Sequence, residues 1–341
     1  VLTFTIRRLI TAVPTLLFIS LVIFMVVKLS PSDPTGNLPL TIPPEVREQI
    51  REALGANDSL LVQYMKWLKL FFWNEPLTAV QAWTDLDLGA DTTQRIISYQ
   101  TRSPVMDLVM ERMPQTLTVV GVAYLVGILI ALPIGILSAY RQYSVFDQVG
   151  TFVSMVGFSV PPFFSGVLVI VIFSVLIPSD SFFWLPSIYD TTHRVTDWES
   201  FTVQLRQMIM PVMVLALQIT AQISRFTRAS MLDNLNQDYV RTARAKGMSE
   251  RVTVLKHVLR NSMIPVVTVI ALGIPAIFGG AIITEQVFKV NGLGQLLIIA
   301  IQGGDVPTVQ TLTFIFAVLI VLFNLIADIL YGLLDPRIRY D

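Results

Sequence analysis

Residues 115–140 read QTLTVVGVAYLVGILIALPIGILSAY, and none of them is charged. A bilayer core about 30 Å thick needs about 20 predominantly apolar residues of helix to cross it, so this stretch is long enough to span a membrane. In lipid every backbone N–H and C=O must pair inside the protein, which for a single apolar run means helix. Uncharged runs also occur at residues 9–27, 148–179, 207–224, 261–284 and 306–327, the fourth of the six being the shortest. The pattern predicts an all-α polytopic membrane protein with six transmembrane helices.

Composition agrees. Of 341 residues, 53% are hydrophobic and 14% charged, against about 25% charged in an ordinary soluble domain, and the mean hydropathy is +0.66. Lys and Arg number 24 and so do Asp and Glu. With no basic excess to neutralise phosphates, no nucleic-acid partner is expected. With no cysteine, disulfides, thiolate catalysis and Cys-ligated metal are excluded. The two histidines, His193 and His257, fall in loops on opposite sides of the membrane, so no metal site is expected. P-loop, H-E-x-x-H and G-x-S-x-G motifs are absent, which argues against an enzyme and against a nucleotide or other cofactor.

The run at 9–27 exceeds the 7–15 apolar residues of a signal peptide and lacks a small-residue cleavage site after it, so it reads as a retained anchor. If the N-terminus is cytoplasmic, the short inner segments hold 13 Lys and Arg and the short outer loops hold 3, namely Arg194, Arg206 and Lys289. The positive-inside rule then places both termini in the cytoplasm. The organisation is an anchor helix at 1–29, an external segment at 30–113, a transmembrane domain of five helices at 114–334 and a cytoplasmic tail at 335–341. A cytoplasmic loop at 225–262 joins the fourth and fifth spans.

In the external segment, Pro43-Pro44-Glu45 opens a short helix and Gly55 closes it. A second helix begins near Ser59. Leu60, Leu61, Tyr64, Met65, Leu68, Phe71 and Phe72 share one face, with Lys66 and Lys69 opposite. This helix either lies on the membrane surface or packs on the rest of the segment. In the cytoplasmic loop, Asp238 is placed to cap a helix over 239–246, Gly247 to end it, and Ser249 to cap a second helix. That second helix carries Val252, Leu255, Val258 and Leu259 on one side. The loop is either a docking element or a basic segment that fixes orientation.

Ala123, Gly127, Ala131, Gly135 and Ala139 recur every four residues, a spacing that lets helices approach closely. Pro161 and Pro162 interrupt backbone bonding at membrane depth; they line a pathway or kink a packed helix. Glu285 and Asp328, the ionisable residues nearest membrane depth, are functional candidates by default. Their positions near the interfaces also allow simple solvation, and Asn324 lies one turn from Asp328.

At the cytoplasmic loop the chain becomes recognisable. The stretch YVRTARAKG, residues 239–247, resembles the EAA-type loop of ABC importer permeases. It is most similar to the first permease of dipeptide, oligopeptide and nickel systems. Ile6-Arg7-Arg8-Leu9 with the exit at 29–34, Arg112 to Leu117, Glu285-Gln286-Val287-Phe288 with Gly292-Leu293-Gly294, and residues 335–340 resemble other stretches of that family. Arg241 stands where the general motif has Glu and Thr242 where it has Ala, while Ala243 is retained. Residues 72–102 look like an expanded version of a shorter segment.

The resemblance implies a type I ABC importer permease fold in the bacterial inner membrane. It implies a pore shared with a second permease as a heterodimer, two cytoplasmic ATPase subunits, and a periplasmic substrate-binding protein. Tyr239, Arg241, Thr242, Ala243, Arg244, Lys246 and Gly247 would sit on an ATPase and couple ATP hydrolysis to peptide movement. Nickel, glutathione or another small solute is the alternative cargo, and a membrane scaffold the alternative class.

Overall fold

The computed structural model describes residues 2–29, 35–36, 41–53, 55–84, 89, 94–190 and 193–334. The family-like C-terminal stretch at 335–340 and residues 30–34 of the exit at 29–34 lie outside them. Among the described residues there is no strand, only an isolated bridge between Ile97 and Pro104. The helices are α1 Leu2–Leu29, α2 Pro44–Ala53, α3 Leu60–Lys69, α4 Glu75–Thr84, α5 Val105–Tyr140, α6 Val145–Ser159, α7 Pro162–Ile170, α8 Trp198–Leu235, α9 Asp238–Ala245, α10 Glu250–Val252, α11 Leu259–Phe288, α12 Leu293–Gln302 and α13 Val306–Leu334. Three π-helical turns extend or join them, at Leu70–Asn74, Val171–Leu176 and Thr253–Val258.

Among the described residues five helices are long and apolar enough to cross a membrane, and a sixth span results if α6 and the α7 segment count as one. The interruption read at Pro161 and Pro162 takes the form of a sharp bend: the chain turns by 105° between Ser159 and Pro162. Val160 and Pro161 are extended, with ψ of 125° and 143°. A residue preceding proline is pushed out of the α region, and consecutive prolines each lack an N–H. The helix restarts with Pro162 in its first turn, where the missing N–H costs nothing.

The run at 207–224 is the middle of a 38-residue helix, α8. In its most apolar window 67% of residues are buried, against 11% for α1. The run looks short in sequence because Arg206 and Arg225 bound it; both are exposed and interrupt the apolar sequence without ending the helix. Asp197 caps it, accepting from Ser200 N at 2.8 Å while the Ser200 hydroxyl accepts from Asp197 N at 2.9 Å, a reciprocal cap that satisfies two end groups.

Packing divides the chain into two units. The first comprises residues 1–9, 115–294 and 320–341, and the second residues 10–114 and 295–319. In the first, α8 packs against α11, α6 and α7. Met210, Val214, Leu215, Ala123 and Phe288 lie in its main buried cluster. Arg228 of α8 grips the buried Asp147 of α6 through two bonds of 2.6 and 2.8 Å. Charge-assisted bidentate pairs of this kind fix geometry as well as adding energy.

In the second unit α3, the π-turn and α4 form continuous helix. Of the apolar face of α3, Tyr64 and Phe71 pack inward together with Trp67, while Leu60, Leu61, Met65 and Phe72 are exposed. Trp67 stacks on Phe71 at 5.3 Å and meets Phe314 edge-on at 5.5 Å. The stretch without legible period, 94–104, is held by two buried carboxylates. Glu75 accepts from Arg95 Nε at 2.8 Å and from Ile96 N at 3.0 Å. Asp305 accepts from Tyr99 N at 2.8 Å, from Thr308 at 2.8 Å and from the Ser98 hydroxyl.

Candidate functional site

The 238–262 loop folds as helix, turn, helix. Asp238 is the first residue of α9 rather than its cap; Gln237 holds the cap position without a side-chain bond. An acidic residue in a first helical turn still complements the helix dipole. Gly247 has φ +75°. Its N–H bonds to Arg244 O at 3.0 Å, and Met248 N–H to Ala243 O at 3.3 Å. These two bonds close a Schellman motif, which needs a left-handed residue at the position of Gly247. Open space surrounds the place where a Cβ would sit, so the demand for glycine is one of backbone conformation, not room.

Val240 and Ala243 are 0% and 6% exposed. The expected docking face is therefore corrected at Ala243, which is turned into the chain's own core. Val240 packs there with Ala139, Met231, Val254 and Val258. Tyr239 also points inward, its hydroxyl 2.8 Å from Asn234 Oδ1. Arg244 reaches Glu250 across the turn at 3.1 and 2.7 Å, and these bonds raise its affinity for its proton. The exposed residues of α9 and its turn are Asp238, Arg241, Thr242, Arg244, Ala245, Lys246 and Gly247. The second helix differs from expectation as well: Ser249 makes no side-chain cap, Val252 and Leu255 are exposed, and Thr253, Val254 and Val258 are buried. The π-turn over Thr253–Val258 shifts the helical period and so changes which residues face inward.

The small-residue stripe of α5 lies against α8. A Cβ at Gly127 would stand 2.8 Å from Ile219 Cβ, and one at Gly135 would stand 2.7 Å from Ser224 O and 2.6 Å from Thr227 Cβ. Ala123, Ala131 and Ala139 are buried. Thr220 donates to Gly127 O at 3.2 Å, a bond that close backbone approach permits.

Glu285 is 1% exposed, which corrects the reading that an interface solvates it. It accepts from the Thr116 hydroxyl at 2.7 Å and from Gly294 N at 2.7 Å, and Thr116 Oγ1 accepts from Leu293 N at 2.8 Å. The carboxylate and the hydroxyl thus satisfy the first N–H groups of α12, where negative charge is favoured. Gly292 and Gly294 leave room: a Cβ on either would collide with the Glu285 carboxylate. The separated sequence pieces at 285–288 and 292–294 form one capping structure. Asp328 pairs with Arg8 at 3.2 Å, while Asn324, one turn away, is exposed. Pro161 and Pro162 stand at the 105° bend. Sequence reasoning missed Arg8, Thr116, Asp147 and Ser154, the last 3.0 Å from Ser224; each partner lies 70 or more residues away. Among the described residues no group of His, Asp or Glu is placed to hold a metal.

Five continuous apolar helices, one bent pair and a short helical turn on a basic loop define a multi-pass membrane protein. The chain belongs to the family described as binding-protein-dependent transport system inner membrane component. It matches that family over residues 131–340 and its N-terminal companion over residues 1–120. It is thus a permease component of an ABC importer, as the resemblance at 239–247 implies, and all five quoted stretches lie within the matched spans. It is 38% identical over 341 residues to the oligopeptide transport system permease protein AppB of Bacillus subtilis (strain 168), covering 99% of each chain. It is 34% identical to a putative peptide transport system permease protein of Brucella abortus (strain 2308), covering 98% of each. To the glutathione transport system permease protein GsiC of Escherichia coli (strain K12) it is also 34% identical, covering 99% of each. Among solved structures, an inward-facing form of the MetNI methionine ABC transporter matches with a TM-score of 0.53 at 16% identity. That match covers 68% of this chain and 98% of the other, and supports the type I importer permease fold.

Proposed function

We propose that this chain is the first permease subunit of an ATP-driven importer of di- and oligopeptides. The observation that carries this is 38% identity to an oligopeptide permease along 99% of both chains. The chain lines the pathway with a second, similar permease, receives cargo from a periplasmic binding protein and rests on two cytoplasmic ATPases. It performs no catalysis itself; hydrolysis belongs to the ATPases. Both termini are cytoplasmic, which the split of 13 basic residues against 3 supports. The exposed rim of Arg241, Thr242, Lys246 and Gly247 seats on an ATPase. Gly247 gives the turn its shape and Arg244 braces it through Glu250. Glu285 and Asp328 act as internal ties. The break at Pro161 and Pro162, where backbone groups leave the helical ladder at membrane depth, is the strongest candidate for a pathway element.

Glutathione, itself a small peptide, is a second reading favoured by the 34% identity to GsiC over the same extent. The test is uptake into proteoliposomes that hold this chain, its partner permease and the ATPases, with the binding protein added outside. ATP-dependent accumulation of labelled di- and oligopeptides is the expected result. Accumulation of glutathione alone would transfer the assignment to the second reading, and ATP-independent flux would refute both.

A further inference from the structure

The second unit contains a cavity of about 620 Å³ at the Lys28 end of α1. Its walls come from α1, α3, the 94–99 stretch and the start of α13. Among the described residues four cations line it, Lys28, Lys66, Lys69 and Arg95, and no acidic one does. Lys66 is paired with Asp58 at 2.5 Å, and Arg95 with Glu75 and Asp107. Among the described residues Lys28 and Lys69 have no carboxylate partner. Two further lining residues are buried donors with nothing to donate to: Trp67, 6% exposed, through Nε1, and Gln310, 3% exposed, through Nε2. An unsatisfied buried donor is costly. Two of them, with two unpaired ammonium groups around one cavity, describe a site shaped for an anion with several acceptor oxygens.

The surroundings select the kind of anion. Met25, Val26 and Leu29, on the same end of α1, are exposed and apolar, and so are Leu60, Leu61 and Met65 on α3. Both helices that wall the cavity therefore present lipid-compatible surface beside it. Lys28 stands at the end of a span, where basic and aromatic side chains anchor at the interface. We propose that this cavity holds the phosphate-bearing headgroup of an anionic glycerophospholipid, with its acyl chains lying along the exposed face of α1. Phosphate oxygens would accept from Trp67 and Gln310 and pair with Lys28 and Lys69. The site is independent of cargo and lies on the side of the membrane that the proposed orientation places outside.

The test uses the full chain in its purified permease complex, stripped in detergent, with bound lipid counted by native mass spectrometry. The probes are dioctanoyl phosphatidylglycerol, dioctanoyl phosphatidylcholine and inorganic phosphate. Phosphatidylglycerol should be retained in preference to phosphatidylcholine, and inorganic phosphate should not displace it. Lys28→Gln with Lys69→Gln should weaken retention on the order of tenfold, because each cation near an anionic lipid contributes severalfold. Trp67→Phe, which keeps the ring stack and removes only the N–H, should weaken it severalfold. Equal retention of both lipids, or retention unchanged in the double Lys variant, would overturn the proposal. Displacement by inorganic phosphate at equal concentration would overturn the lipid as occupant and leave a free anion in its place.

Discussion

Glu285 shows how a single residue can look like one thing in sequence and be another in the fold. An acid at the end of an apolar run suggests a group in contact with water. Its partners are Thr116, 169 positions away, and the N-terminus of α12. Replacing it with Ala leaves the Gly294 N–H and the Thr116 hydroxyl without their acceptor in a buried place. Each such loss costs about 1–3 kcal/mol. Glu285→Ala should therefore lower the unfolding temperature of the purified complex clearly, and Glu285→Gln, which keeps an acceptor, should lower it less. Equal stability of Ala and wild type would remove the capping role. Gly247 is the opposite case, legible from sequence alone, because a glycine after a capped helix marks a left-handed turn. A Cβ there adds about 1–2 kcal/mol of strain, more if it is β-branched. Gly247→Val should leave the protein in the membrane with its partner permease while substrate-stimulated ATP hydrolysis and uptake fall together. Gly247→Asn, which tolerates the left-handed region, should retain most of both. Full coupling in the Val variant would mean that the turn transmits nothing.

At the scale of elements, the hydrophobic effect does little between helices in lipid, so close packing and hydrogen bonds hold them. The contact between α5 and α8 is built on this. Gly135→Leu would push a side chain into Ser224 O and Thr227, backbone and a branched residue that cannot easily yield. Overpacking typically costs about 1–3 kcal/mol, and the variant should reduce the yield of intact complex in size-exclusion chromatography. Gly121, with nothing within 4 Å of its Cβ position, supplies the control: Gly121→Ala should behave as wild type. Equal yields of both variants would remove α8 as the stripe's partner. Ala243 carries a related lesson. The alternation within α9 shows that one face is apolar, but sequence alone does not say whether that face meets a partner or the chain's own core, and here Val240 and Ala243 face inward. The π-turn at Thr253–Val258 was equally illegible, since a one-residue change of period leaves no local signature.

For the whole molecule, uncharged runs were sufficient to locate the membrane helices, because charge at membrane depth is expensive. They did not fix where helices begin and end. Helix α8 runs on past charged residues at both ends, with Glu199, Arg206, Arg225 and Asp233 exposed, and α6 ends at prolines inside an otherwise uninterrupted run. The ties that hold the units, Arg228 to Asp147, Thr116 to Glu285 and Ser98 to Asp305, join residues 81 to 207 positions apart. No local pattern announces such pairs. The cavity beside Trp67 was hidden for the same reason, since its four walls come from distant parts of the chain. Topology itself is open to direct test. Reporter fusions at Gly89 and after Asp341 should report periplasm and cytoplasm respectively, and the same compartment at both would refute the orientation.

The central claim is that the exposed rim of the α9 turn meets an ATPase. Because the chain has no cysteine, a single Lys246→Cys substitution gives this rim a unique thiol. A short thiol-to-amine cross-linker applied to the assembled complex should join this chain to an ATPase subunit, with a yield that changes when ATP is added. A Gly89→Cys control should join it to the binding protein or to nothing. Cross-linking of the ATPase from Gly89→Cys and not from Lys246→Cys would contradict the account.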